Sequence, residues 1–268
     1  MESKAASQSI PVAMTIAGSD SGGQAGVQAD LKTFAANQVH GISALTCLTA
    51  QSPSTVADAR SVSTESLKAQ IKIGLDSYKP SAIKTGMLFD GERAKVVVDC
   101  LNELESRPPI VVDPVMIASS GSVLLEPEAL DIVQSQLLPL ATLITPNLDE
   151  AETLGQRSAR TRSEIECLAK DMAQAYDAAI LIKGGHLDSD ELIDTLALPN
   201  MEIAVYTQTR IRNIDTHGSG CTLSAAIAAW LAKGFTIESS VKKALDYLRA
   251  AMESPISIEG NFFINHFP

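Results

Sequence analysis

Asn213 to Gly234 reads NIDTHGSGCTLSAAIAAWLAKG, with two glycines, a serine and a cysteine directly before a long alanine-rich run. Gly218 and Gly220 let the backbone turn tightly. The amides of Gly218, Ser219, Gly220 and Cys221 then open a helix whose dipole favours negative charge. Such a nest suits a phosphate, and above all the charge that develops on a transferring phosphoryl group. A thiol at a helix start has a lowered pKa, which makes Cys221 a candidate base or nucleophile. An ordinary glycine turn capped by Ser219 or Thr222 accounts for the same letters, and both readings stand on this stretch alone.

Other residues carry related chemistry. TPNLDEAE (Thr145–Glu152) puts Asn147 and Glu150 at i and i+3 on one face of a starting helix. The pair suits a hydrated Mg²⁺ beside a nucleotide, since Mg²⁺ takes few carboxylates and keeps its waters. Helix capping by Asn147 explains the pattern equally. Asp113 ends the apolar run IVVDP and needs a partner there. Lys183 ends ILIKGG, where a lysine can neutralise a phosphate or snorkel to solvent. There is no GxxxxGK[ST], so a P-loop is absent, and GSDSGGQAG does not fit GxGxxG. His186, His217 and His266 show no metal-ligand spacing.

These residues must be held by a scaffold, and the hydropathy pattern supplies one. Strands are expected at 12–18, 41–51, 81–87, 109–115, 141–147 and 178–185. Helices are expected between them at 25–38, 64–78, 91–104, around 126–138, 148–154 and 163–176. Residues 190–198 and 202–211 read as an antiparallel edge hairpin, and helices at 221–233 and 237–254 close the chain. Strand–helix alternation implies right-handed crossovers and a mostly parallel sheet covered on both faces, a three-layer α/β/α fold. No linker interrupts it, so residues 1–268 are expected to form a single domain with residues 1–10 a flexible tail. In such sheets ligands bind beyond the carboxyl ends of the strands. Those ends carry Gly18, Gln51, Met87, Asp113, Asn147 and Lys183.

Composition narrows the function. Of 268 residues 45% are hydrophobic and 20% charged, with a net charge of −11, so no basic surplus exists for a nucleic acid. The four cysteines form no CxxC pair, and Cys47, Cys100 and Cys167 read as small buried residues. A reducing cytoplasm is expected. The polar N-terminus is no signal peptide, and no apolar run reaches membrane-spanning length.

Taken together, TIAGSDSGGQAGVQADLKTF, LTAQ, IKTGM, VVDPVM, LITPNLDEAE, IKGGH and THGSGCTLSAAIAAWLAKG resemble the hydroxymethylpyrimidine and phosphomethylpyrimidine kinases of thiamine biosynthesis, members of the ribokinase-like superfamily. The resemblance runs from about Val12 to Phe267. It implies ATP and Mg²⁺ as cofactors and two successive phosphorylations, of 4-amino-5-hydroxymethyl-2-methylpyrimidine and then of its monophosphate. It implies that Gln51 pairs with the amino-pyrimidine edge, with Gly18, Asp30 and Met87 lining the pyrimidine pocket. By the same resemblance Cys221 is the base, and Gly218, Ser219 and Gly220 form the anion hole. Asp113, Asn147, Glu150 and Lys183 form the nucleotide region, with Asp113 and Glu150 toward the metal, and a homodimer is common. Gln24, Ser219 and Asp215 depart from the usual motif residues. A pyridoxal or pyridoxine kinase and a non-catalytic ligand-binding homologue are the rival readings.

Overall fold

The computed structural model describes residues 9–52, 55–116, 127–184 and 190–268. Among these residues nine strands form one sheet, in the order β3-β2-β1-β4-β5-β6-β7-β8-β9. β1 (Val12–Asp20), β2 (His40–Ser52), β4 (Ala82–Thr85), β5 (Ile110–Val112), β6 (Leu143–Ile144) and β7 (Ala179–Ile182) run parallel. β3 (Thr55–Ser61), β8 (Glu191–Ala197) and β9 (Ile203–Thr209) are antiparallel to their neighbours. The central strands are apolar on both faces because both faces are covered. Alternate residues feed two cores. Met14, Ile16, Ile83, Ile110, Val112, Ile144 and Ile180 pack under α2 (Thr64–Tyr78), α3 (Gly91–Asn102), α5 (Leu148–Gly155) and α6 (Arg162–Tyr176). Ala13, Ala82, Val111, Leu143, Ala179 and Leu181 pack under α1 (Gly26–Ala36), α7 (Ser219–Ala232) and α8 (Ile237–Glu253).

α7 is apolar all round, as a helix buried on every side must be. Residues Thr222 to Ala229 are all buried, and the alanines let its backbone lie close to the sheet. This packing fixes the helix tip carrying the GSGC stretch.

The expected three-layer order is present, with four local differences. β3 was not expected. Its residues TVADARS are exposed or half-buried on both faces, so no two-residue hydrophobic period marks them. A short hairpin of β10 (Ile256–Ile258) and β11 (Asn261–Phe263) follows α8, also without such a period. The helix expected around 126–138 is instead α4 (Pro127–Ile132), a π turn (Val133–Leu137) and a 3₁₀ turn (Leu138–Leu140). Pro139 lacks the amide and the clearance that a continuing α-helix needs. Cys47 and Cys100 are buried as expected, but Cys167 is exposed on α6.

Candidate active site

The carboxyl ends of the parallel strands open into a cleft of about 620 Å³. One end is walled by Gly18, Gln51 and Met87, the other by Asn147, Glu150 and Lys183, with Gly218 to Cys221 and Asp113 between. His186 lies outside the described residues.

The loop after β1 is organised by Asp20. Its carboxylate accepts from the amides of Gly22 (2.8 Å), Gln24 (3.0 Å) and Ala25 (2.7 Å). Burial pushes its pKa up, but the contact with His217 and these amides outweigh burial and hold it below the ordinary carboxylate value. The loop lies against the tip of α7. Gly218 sits at φ +83°, and a β-carbon there would overlap the Gln24 carbonyl oxygen, so only glycine fits. Gly18 is equally confined: a β-carbon would come 2.8 Å from Cys47 Sγ and 3.5 Å from Met87 Sδ.

The run of free amides at the tip of α7 is narrower than the sequence implied. Ser219 N already donates to Thr216 O at 3.0 Å, and the first helical bond runs from Thr222 N to Gly218 O at 2.8 Å. The first-turn amides of Gly220 and Cys221 therefore carry the dipole's positive end. The expected lowering of the Cys221 pKa is not found. Burial pushes its thiol up to about 11. The Lys84 ammonium and a hydrogen bond from the Gly26 amide oppose the rise, and the Asp30 and Asp113 carboxylates add to it. Desolvation of the sulfur outweighs the helix dipole here.

Asp30 is a second correction. It does not wall the cleft: its carboxylate is wholly buried behind it. It accepts from Lys84 Nζ at 3.0 and 2.9 Å and from Thr15 Oγ1 at 2.5 Å. Burial acts to lower the Lys84 pKa, but the facing Asp30 carboxylate lifts it above the ordinary lysine value. Lys84 reaches the cleft wall from β4.

At the other end, Asn147 and Glu150 form the reciprocal capping box that starts α5. Asn147 Oδ1 accepts from Glu150 N and Glu150 Oε2 from Asn147 N, both at 2.8 Å. Capping and cleft lining are thus done by the same two residues. Asp113 accepts from Lys183 Nζ (3.2 Å) and Ser224 Oγ (3.2 Å). Burial raises the Glu150 pKa to about 6; Lys183 opposes the rise and Asp113 adds to it. Burial would lower the Lys183 pKa, yet Asp113 and Glu150 raise it. A β-carbon on Gly220 would lie 3.3 Å from Lys183 Nζ, so this cation stands beside the cradle. Among the described residues no three His, Cys, Asp or Glu side chains converge into a metal cage. Two buried carboxylates that repel one another still suit Mg²⁺, which fills its remaining positions with phosphate oxygens and water.

Four residues of the site had no role assigned from the sequence, although Asp20 and Lys84 lie at the strand ends that mark the cleft. Asp20 had a signal, an aspartate before paired glycines that marks a turn. Lys84 had one too, as the charge within an apolar strand. His217 and Ser224 had none beyond their place next to the GSG turn and on its helix.

Residues 20–265 match the phosphomethylpyrimidine kinase family. A hydroxymethylpyrimidine/phosphomethylpyrimidine kinase of Rhizobium meliloti is 41% identical over 260 residues, spanning 96% of this chain and 97% of the relative. The phosphomethylpyrimidine kinase of Clostridium difficile superposes with a TM-score of 0.81 at 36% identity, covering 90% of this chain and 99% of that one. An ADP complex of Bacillus subtilis pyridoxal kinase superposes with a TM-score of 0.87 at 34% identity, covering 96% and 98%. No helix among the described residues is long and apolar enough to cross a membrane. On its sequence, its sheet order and the cleft those strands build, this chain belongs to the phosphomethylpyrimidine kinase family.

Proposed function

We propose that this chain is an ATP-dependent kinase of thiamine biosynthesis. It phosphorylates the hydroxymethyl group of 4-amino-5-hydroxymethyl-2-methylpyrimidine and then phosphorylates the resulting monophosphate. The observation that carries this reading is the cleft itself, with the Gly220–Cys221 amides lying between Gln51 at one end and Lys183 with Glu150 at the other.

Gln51 reads the amino-pyrimidine edge, since a primary amide can both donate to a ring nitrogen and accept from an amino group. Gly18 leaves room for the flat ring, and Met87 covers one face. The amides at the tip of α7 receive the charge that spreads over the transferring phosphoryl group. Lys183 neutralises nucleotide phosphate oxygens. Asp113 and Glu150 would hold Mg²⁺, whose charge screens the phosphates from one another when it is bound.

Cys221 faces the two acceptors differently. The alcohol must lose a proton as its oxygen bonds to phosphorus; Cys221 accepts it in its thiolate form, which a thiol at about 11 populates sparsely at pH 7 and increasingly toward alkaline pH. The monophosphate oxygen is already ionised near neutral pH and needs no base. Cys221→Ala is therefore expected to slow the first phosphorylation far more than the second, read by coupled ADP assays on each acceptor. Equal losses in both steps refute the base role.

Kinetics with pyridoxal beside the pyrimidine separate this reading from a pyridoxal kinase, and ADP release that depends on the pyrimidine excludes a binding-only protein. We take the working form to be a cytoplasmic homodimer of single-domain chains, in keeping with the family's habit. Light scattering on the purified protein tests the dimer.

A further inference from the structure

Gln51 lies on the part of β2 that pairs with β3. The two ends of a carboxamide are alike in shape and opposite in hydrogen bonding, so an amide that is free to turn over cannot tell a donor from an acceptor. Something must fix it. Thr49 Oγ1 stands 3.4 Å from Gln51 Oε1, but the single hydroxyl proton already goes to Ser19 O at 2.8 Å. The short contact is with His217, whose Nε2 lies 3.0 Å from Gln51 Nε2. The same Nε2 is 3.5 Å from Asp20 Oδ2, farther than its 3.0 Å contact with Gln51 and than the Gln24 and Ala25 amides on that oxygen, so Gln51 is the nearer of its two neighbours. The His217 amide in turn donates to Asp215 Oδ1 at 2.8 Å, and the next residue is the Gly218 cap of α7.

We propose that His217 is a positioning residue that fixes which end of the Gln51 carboxamide faces the cleft, and so ties acceptor recognition on β2 to the phosphoryl cradle on α7. With its proton on Nδ1, the imidazole accepts from Gln51 at Nε2. The Gln51 oxygen is then presented to the acceptor, where it matches an amino group. Asp20 sets the wall against which the ring lies. The inference rests on Gln51 being the acceptor contact, as proposed above.

A four-way comparison of wild type, Gln51→Ala, His217→Leu and the double variant tests it. KM and kcat are measured with the aminopyrimidine, and ADP affinity is measured by calorimetry to show that the nucleotide end is intact. His217→Leu is expected to raise KM roughly tenfold, the loss of one ordinary hydrogen bond, and Gln51→Ala, which removes both contacts to the acceptor edge, by at least that. The double variant is expected to match Gln51→Ala, because His217 acts only through that amide. His217→Gln, which keeps an acceptor oxygen where Nε2 stood, is expected to stay within about threefold of wild type by the same hydrogen-bond reckoning. Multiplied losses in the double variant, or a tenfold loss in a folded His217→Gln protein, overturn the linkage alone. An unchanged KM in Gln51→Ala overturns the Gln51 contact and the linkage together.

Discussion

The Asp30–Lys84 pair is the most exacting place to test the physical account. Both side chains are entirely out of solvent, and both carboxylate oxygens lie within 3.0 Å of the ammonium. Asp30→Asn keeps the shape and removes the charge. Lys84 is then a buried cation without its counter-ion, in a place water does not reach. Breaking a buried pair in this way costs about 3–5 kcal/mol. Set against a typical total of about 5–15 kcal/mol, that is a large share of the stability. For a chain of this size it corresponds to a fall in Tm of roughly 6–20 °C, taking about 2–4 °C per kcal/mol. The double change Asp30→Leu with Lys84→Met removes both charges and is expected to recover most of the loss. Urea titrations followed by circular dichroism, with thermal melts, give both numbers. The reasoning fails if Asp30→Asn lies within about 1 kcal/mol of wild type, the range of a surface pair, or if the double variant is less stable than Asp30→Asn.

Three further outcomes follow from the site and its supports. With the Cys221 thiol at about 11, only roughly one sulfur in ten thousand is thiolate at pH 7; alkylation by iodoacetamide, followed by mass spectrometry, should be slow at neutral pH and accelerate up to about pH 11, and fast labelling at pH 7 contradicts this. Burial and the nearby Lys32 charge push His266 down to about 4, below its ordinary value, so the unfolded chain binds the extra proton. Stability is therefore complete above about pH 6.5 and falls toward pH 4, by about 3 kcal/mol, a loss that His266→Gln should abolish in acid denaturation curves. Gly218→Ala places a methyl group against the Gln24 carbonyl at positive φ, and is expected to cut kcat at least tenfold while the sheet persists by circular dichroism; near-normal turnover counts against a rigid cradle.

The sequence made the parallel layers legible because Val12–Gly18, PIVVDPV and AAILIKGG are largely apolar runs bounded by glycine or proline. Helix α2 was read with its bounds intact, since Leu67, Ile71 and Leu75 repeat along one face after a serine cap. β3 was invisible because a flap exposed on both faces has no reason to alternate. At the site, strand-end polar residues located the cleft, but identity alone did not tell Asp30 from a lining residue. That distinction depends on α1 turning the carboxylate toward Lys84, a contact 54 residues apart in the chain. The Cys221 pKa was misjudged for a similar reason. The helix dipole is visible in the letters, and the burial that overrides it comes from packing.

Helix α7 is gripped by the sheet and by α1 and α8, whereas Gln51 rides a two-stranded flap whose outer strand has no fully buried residue. On the proposed roles, the transfer apparatus and the acceptor selector are thus mounted on supports of very different burial. A change on the flap then alters which acceptor is taken while the cradle on α7 keeps its place, a separation that lets substrate choice vary without rebuilding the transfer site.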